Sequence, residues 1–327
     1  MTTRTRRSIR WAAMLALAAV ATAQFPAANA AGQPCDEACL NQLVDTYLTA
    51  LVAHDASRIP ATKEVRYTEN TIALPMTEGL WATASALKKY RHVIPDVEGG
   101  AVGFYATIEE NGKGALLGGR MKVVDRKVSE LEVLVARSAD MGAMLKTDAT
   151  EVRPAFLTLV PAGKRASRES LANAAKLYFD GLEQDTGEIV PFADDCKRFE
   201  NGTQTAGDGA RGHAITLADG KIWNMPTGCR ASFNTRMFSY ITRIDHRRYP
   251  VVDRSRGVAM GFVTFQHGGN VPEVDVPGVG KVPALPTTDR PFAVAIAESF
   301  EVKDGKIHEI EAVMITVPYG AGLGWEK

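Results

Sequence analysis

Leu40, Leu43, Val44, Tyr47, Leu48, Leu51 and Val52 return at three- and four-residue intervals, the pattern of a helix with one apolar face. The first six of these positions recur as Leu171, Ala174, Ala175, Tyr178, Phe179 and Leu182, each 131 residues further on (171 against 40). The same displacement carries Glu69-Asn70 onto Glu200-Asn201. A second register joins the ends of the two halves, with Val123, Asp125, Lys127, Val128, Glu130 and Glu132 matched by Val302, Asp304, Lys306, Ile307, Glu309 and Glu311 at a displacement of 179. The second half therefore holds 48 additional residues (179 against 131), for which the glycine-rich stretch 202–220 and the loop 268–290 are the available places.

Between these landmarks the apolar period shortens to two. Val102–Glu109, Ala115–Val124 and Val128–Ala136 predict one antiparallel meander, with turns at Asn111-Gly112 and Asp125-Arg126; Val258–Gln266, Phe292–Lys303 and Ile307–Val317 predict another, turning at Asp304-Gly305. A second helix is expected in each half, over Leu80–Tyr90 and Ala231–Ile241. Residues 139–168 read as a connection, because Pro154 and Pro161 oppose a continuous helix. Helices followed by long antiparallel strands is an α+β pattern. The expected organisation is residues 31–138 as a first domain, 139–168 as the connection, and 169–327 as a second domain with a long loop at 268–290.

In helix phase, in Arg66-Tyr67-Thr68-Glu69-Asn70 beside Lys197-Arg198-Phe199-Glu200-Asn201, and in the closing Val302–Val313 stretch, the chain resembles the nuclear transport factor 2-like, or SnoaL-like, superfamily in tandem. That resemblance implies two cone-shaped units, each with N-terminal helices packed on a strongly curved antiparallel sheet, and a pocket inside the cone. It also implies acid–base chemistry of the isomerase, dehydratase, cyclase or epoxide hydrolase kind, carried out without a cofactor.

The chain start changes the picture of where this happens. Arg4, Arg6, Arg7 and Arg10, an apolar run from Trp11 to Ala23 and the small-x-small Ala28-Asn29-Ala30 read as a secretory signal over residues 1–30, cleaved near Ala30. Thr5–Arg10 also fits a twin-arginine signal, so either export route is open. No later run is long and apolar enough to span a membrane, and the expected destination is the periplasm or the exterior. There, Cys35, Cys39, Cys196 and Cys229 can form disulfides, Cys35–Cys39 and Cys196–Cys229 being the pairing in which each bridge stays within one half. Free thiols are the alternative, and no spacing suits zinc.

The whole chain is formally neutral, and without the four signal arginines 34 basic residues face 38 acidic ones, which excludes an electrostatic footprint for nucleic acid. With 45% hydrophobic residues there is material for two packed cores. The two halves are expected to pair with each other, and association of whole chains stays open.

Candidate chemistry lies at polar positions in inward strand phase. Glu298 shares its phase with Phe292, Val294, Ile296, Phe300 and Val302, so burial would raise its pKa and fit it for proton transfer. Its counterpart in the first half is Gly119, which points to the second half as the working one; a structural ion pair with Arg247 is the alternative. His267, in phase with Val263 and Phe265, could reach the mouth of the pocket or lie on the surface. Tyr240 completes the expected catalytic set. Asp195, Glu200, Arg247, Tyr319 and Trp325 are the expected substrate-binding residues, the aromatic ones closing on a flat ligand. His246, among Arg243, Arg247 and Arg248, fits an anion site or a solvated strand edge. Glu132 and Glu311, matched between halves, read as structural, as does the Glu-Asn pair. No phosphate-binding loop, nucleophile elbow or HExxH motif occurs, and no metal or cofactor is expected. The loop 268–290 reads equally as a lid or as a strap between halves.

These residues lead to one expectation and one rival. The first is a cofactor-independent acid–base enzyme, isomerase, dehydratase or lyase, acting on a small hydrophobic molecule, aromatic ones included. The rival is a non-catalytic binding protein of the same fold.

Overall fold

The computed structural model describes Met1 and residues 34–138, 144–148, 151–284 and 288–325. The expected signal segment lies outside the described residues. Helix α1 (Glu37–Val52) begins where Asp36 accepts a hydrogen bond from Cys39 N at 2.9 Å, and it buries the apolar face read from the sequence. It is followed by β1 (Ala61–Glu69), β2 (Ile72–Ala73), a single turn α2 (Leu80–Thr83), β3 (Ala84–Asp96), β4 (Ala101–Glu110), β5 (Lys113–Val124) and β6 (Lys127–Ala136). These strands form one sheet of order β2-β1-β6-β5-β4-β3, in which β1 and β6 run parallel and the remaining pairs antiparallel.

After the one-turn α3 (Pro154–Leu157), α4 (Arg168–Glu183) starts on a Ser167 cap and buries Leu171, Ala175, Tyr178 and Phe179. Then come β7 (Phe192–Glu200), β8 (Thr203–Ala206), β9 (Ala214–Thr216), β10 (Ile222–Asn224), α5 (Cys229–Asn234), β11 (Ile241–Asp253), β12 (Val258–His267), β13 (Glu273–Val276), β14 (Gly280–Pro283), β15 (Phe292–Lys303) and β16 (Lys306–Val317). The second sheet, β11-β12-β15-β16-β7-β8, has the strand order of the first, β11 standing for β3, β12 for β4, β15 for β5 and β16 for β6. Among the described residues the chain is thus α+β, with two six-stranded sheets and few helices.

The expected second helices are not there at their expected length. The first is one turn and gives way to β3 at Ala84; the second ends at Asn234, before β11. Tyr90, His92 and Ile94 are buried with partly exposed Arg91 and Val93 between them, a period of two that helix-favouring Leu87-Lys88-Lys89 obscures. Burial across the sheet overrides local propensity there.

Strands β3/β11 and β4/β12 match at a displacement of 157 (Ile241 against Ala84, Val258 against Ala101). The extra 48 residues therefore divide into 26 before β11 and 22 between β12 and β15. Each set carries a hairpin, β9-β10 and β13-β14, and the two hairpins share a small core in which Val274, Val276 and Val282 pack with Ile215 and Trp223.

Alternation along β15 separates two cores. Val294, Ile296, Phe300 and Val302 face α4, whereas Ala293, Ala295 and Ala297 face the first sheet, in a cluster with Tyr105, Leu116 and Phe156. The sheets approach closely enough that a Cβ on Gly118 would lie 2.7 Å from Val313 Cβ. Two buried glutamates cross this interface. Glu132 receives Arg120 from its own sheet and Arg248 Nη2 from the other at 2.6 Å; Glu311 receives Arg153 at 3.1 Å and, from the first sheet, Tyr90 and His92. Burial alone would raise the pKa of Glu311, but Arg153 with the His92 and Tyr90 hydrogen bonds holds it at about 2. Asn70 and Asn201, both at positive φ, tie the ends of β1 and β7 to Val135 N and Met314 N.

Candidate functional site

A cavity of about 510 Å³ lies in the second half. Its walls come from α4 through Tyr178 and Leu182, from β7 through Arg198 and Glu200, and from β15 and β16 through Val294 and Met314. Its roof comes from both insertions, Arg211, Ile215 and Met225 from one and Thr288 and Arg290 from the other. A concave, mainly apolar chamber with few polar groups is the usual form of a small-molecule site.

One set of polar groups gathers at the end formed by β7. Cys196, Arg198 and Glu200 share strand phase, and the bridge from Cys196 to Cys229 secures β7 to α5 beside them. The buried Arg198 guanidinium donates through Nε to Thr205 Oγ1 at 3.1 Å and through Nη1 to Tyr178 Oη at 3.4 Å, and stands 3.4 Å from Glu200 Oε1. Its Nη2 has no protein partner among the described residues. Burial raises the Tyr240 hydroxyl above its ordinary range, and the Glu200 carboxylate adds to this.

Glu298 faces inward as its phase predicts and is 2% exposed. Burial, reinforced by Glu200, lifts its pKa to about 8 against the opposing pull of Arg198 and the neighbouring Tyr178 hydroxyl. At neutral pH it is mainly a neutral acid. It does not line the cavity; its neighbour Tyr178 does, and stands between Glu298 and the chamber's Arg198, which donates to the Tyr178 hydroxyl.

His267 lines the cavity near its roof, stacked between Phe292, 4.1 Å away and 5° from coplanar, and Tyr240 at 5.4 Å. Burial drives its pKa down to about 4, leaving a neutral ring, and its Nδ1 is buried without a hydrogen-bond partner.

Of the expected residues, Tyr240, His267 and Glu200 meet in this chamber, with Glu298 one side chain behind. The other expected binding residues lie elsewhere. Asp195 is exposed and paired with His308 at 2.7 Å. Arg247 is held by Asp180 at 2.6 Å and Glu183 at 2.5 Å on α4, and so is not the ion-pair partner of Glu298. Tyr319 is exposed beside Arg243, and Trp325 packs under Arg66 and Arg120 with Nε1 on Thr68. A C-terminal tail without a strand period offers no phase from which these directions could be read. The loop 268–290 contributes roof through Thr288, with Arg290 beside it, and packs on the other insertion.

Arg198 and Tyr178 are the residues the sequence reading missed. The available signal was a charged residue in inward phase at Arg198, where the first half has Tyr67 (198 against 131 further back). That first half is filled instead. Tyr67 donates to Glu69 at 3.0 Å, Glu69 also accepts from Leu80 N, and Tyr47 packs on Trp81 and Phe104. One cross-strand pair shows the exchange: Phe104 opposes Gly119, while at the matching position Gly261 opposes Glu298. A Cβ on Gly119 would lie 2.6 Å from Phe104 Cζ, so the phenyl ring occupies the space that an acid side chain needs.

Among the described residues no three of His, Cys, Asp or Glu converge as a metal-binding group, and no helix is long and apolar enough to cross a membrane. A family model described as a domain of unknown function, DUF8021, matches residues 164–314, which contain nearly all of the cavity wall. No curated protein matches the chain. Among solved structures, a de novo designed protein with a curved β-sheet is similar at 14% identity, over 45% of this chain and 87% of that one, with a TM-score of 0.25. An LEH-like epoxide hydrolase of M. tuberculosis is similar at 11% identity, over 45% and 84%, with a TM-score of 0.24. A phenazine biosynthesis-related protein of Pseudomonas aeruginosa is similar at 13% identity, over 45% and 80%, with a TM-score of 0.25.

Proposed function

We propose that this is an exported protein built from two diverged cone-shaped units, in which the second cone is a cofactor-independent acid–base enzyme for a small hydrophobic molecule and the first is its scaffold. The observation that carries the reading is a buried acid, Glu298, next to the chamber-lining Tyr178, with burial lifting its pKa to about 8. A group titrating there is matched to proton transfer near neutral pH.

For a substrate with a carbonyl at the polar end, Tyr178 and Arg198 would donate to the carbonyl oxygen while Glu200 takes a proton from the adjacent carbon. The developing oxyanion takes the Tyr178 proton, and Glu298 replaces it. Return of the proton from Glu200 to another carbon, with the oxygen proton passing back through Tyr178 to Glu298, completes an isomerisation. If the neighbouring carbon bears a leaving group, loss of that group makes the same first step an elimination. Neutral His267, stacked between Tyr240 and Phe292, would form part of the wall against which the substrate packs.

The test is to identify a bound molecule by native mass spectrometry and follow it in deuterated water. Conversion or deuterium uptake that is lost in Glu298→Gln supports the enzyme; an unaltered, unlabelled ligand after long incubation rejects it. That outcome would support the binding-protein reading, which draws on the position of Glu298 behind the cavity lining. The two disulfides fit an oxidising compartment, and fusing residues 1–34 to a reporter, with Arg6 and Arg7 replaced by lysine, tests export and its route.

A further inference from the structure

The charges around the cavity are unevenly neutralised. At the inner end Arg198 already faces Glu200, and the nearby Glu298 is mainly neutral, so this end is polar but nearly uncharged. The roof differs. Arg211 comes from the first insertion and Arg290 from the second, both line the chamber, and neither has an ion pair or a side-chain hydrogen bond among the described residues. Several other arginines are held closely, as Arg137, Arg153, Arg168, Arg247 and Arg256 are by one or two carboxylates. Between the two ends lie apolar walls, and the buried, neutral ring of His267 lines the chamber between Tyr240 and Phe292.

We infer that the cavity selects an amphipathic anion: an apolar, ring-sized body with a neutral oxygen at the inner end and its carboxylate or other anionic group at the outer end, under Arg211 and Arg290. Both arginines are exposed at the chamber mouth; a cation there would meet two unpaired positive charges, and a fully apolar molecule would gain nothing from them. Because the two arginines sit on different insertions, an anion between them also holds the roof halves together. The inference rests on this cavity being the working site, but not on the acid–base chemistry proposed for it.

A matched pair of fluorescent probes tests it: 8-anilino-1-naphthalenesulfonate, which is anionic, and N-phenyl-1-naphthylamine, which has the same rings and no charge. Wild type should bind the anion at least about tenfold more tightly, the combined effect of two partly exposed ion pairs. Raising salt from about 50 to about 500 mM should erase most of that preference. The double substitution R211A/R290A should weaken the anion about tenfold and leave the neutral probe unchanged. Val294→Trp, or Met225→Trp in the roof if the former does not fold, should abolish binding of both probes by filling the chamber. Equal affinities for the two probes, or anion binding that survives a filled chamber in a folded variant, would overturn the inference. Glu298→Gln separates the two proposals: loss of turnover with the anion preference intact is expected, and failure of either readout leaves the other standing.

Discussion

Glu298→Gln should change the pH dependence of folding in a way that measures how dry its surroundings are. An unfolded glutamate titrates near 4.5, and this one titrates at about 8 when folded. A folded-state pKa above the unfolded one means that the native protein holds a proton that the unfolded chain releases. The associated stability is complete below pH 4.5, falls by roughly 1.4 kcal/mol per pH unit above it, and is lost once pH passes 8. The loss sums to about 5 kcal/mol. Glutamine keeps the shape of the neutral acid and does not titrate, so the variant lacks this slope. The melting temperatures of variant and wild type should be similar at pH 4 to 5. At pH 9 the variant should be higher by roughly 10 °C, taking about 2 °C per kcal/mol for a chain of this size. Differential scanning calorimetry from pH 4 to 9 makes the comparison. Parallel curves would refute the reasoning, because they would mean that Glu298 ionises in the folded state at an ordinary pH.

Glu311→Gln should behave in the opposite sense. Its pKa of about 2 represents stability present above pH 4.5 and lost as pH falls through 2, so the variant should be about 3–5 kcal/mol less stable at pH 7, converging on wild type near pH 2 by urea denaturation. Replacing Cys196 and Cys229 by serine should cost about 4 kcal/mol, and the same change at Cys35 and Cys39 about 2 kcal/mol, because the first bridge closes the longer loop; equal losses would contradict this. Gly118→Val should destabilise by about 1–3 kcal/mol, since its side chain meets Val313 across the sheet interface, whereas valine at Gly112, where nothing lies within 4 Å, tests only the positive φ.

Glu298 shows how far phase alone carries. Alternation along Phe292–Val302 put it on the face toward α4, and it is there, because a one-residue slip would drive Phe300 and Val302 into the alanine-lined contact with the first sheet. No such alternation supported Asp195, Arg247, Tyr319 or Trp325, and the structure places them away from the chamber. Arg247 follows His246 at positive φ within a bulged stretch of β11, where strict alternation breaks down. Asp195 is directed to solvent beside His308, a contact made across 113 residues. Arg198 was readable in principle, from a charge in phase with Cys196 and Glu200, but Glu200 drew the attention because it is matched in the first half by Glu69.

Local pattern determined the helices α1 and α4, the three-strand meander of each half and the phase of β15, because each depends on a period or on neighbours close in sequence, whereas the pairing of Cys196 with Cys229 across 33 residues was one of several open connectivities. Tertiary structure decided which half is hollow and where the polar groups meet. Whether a chamber stays open depends on volumes summed from residues far apart: Phe104 and Trp81 fill the first half, while Gly261 and the displaced insertions leave room in the second. The acidity of Glu298 has the same origin. Its carboxyl is held near 8 not by adjacent residues in the chain but by the absence of water, which only the packed helix and sheet can enforce.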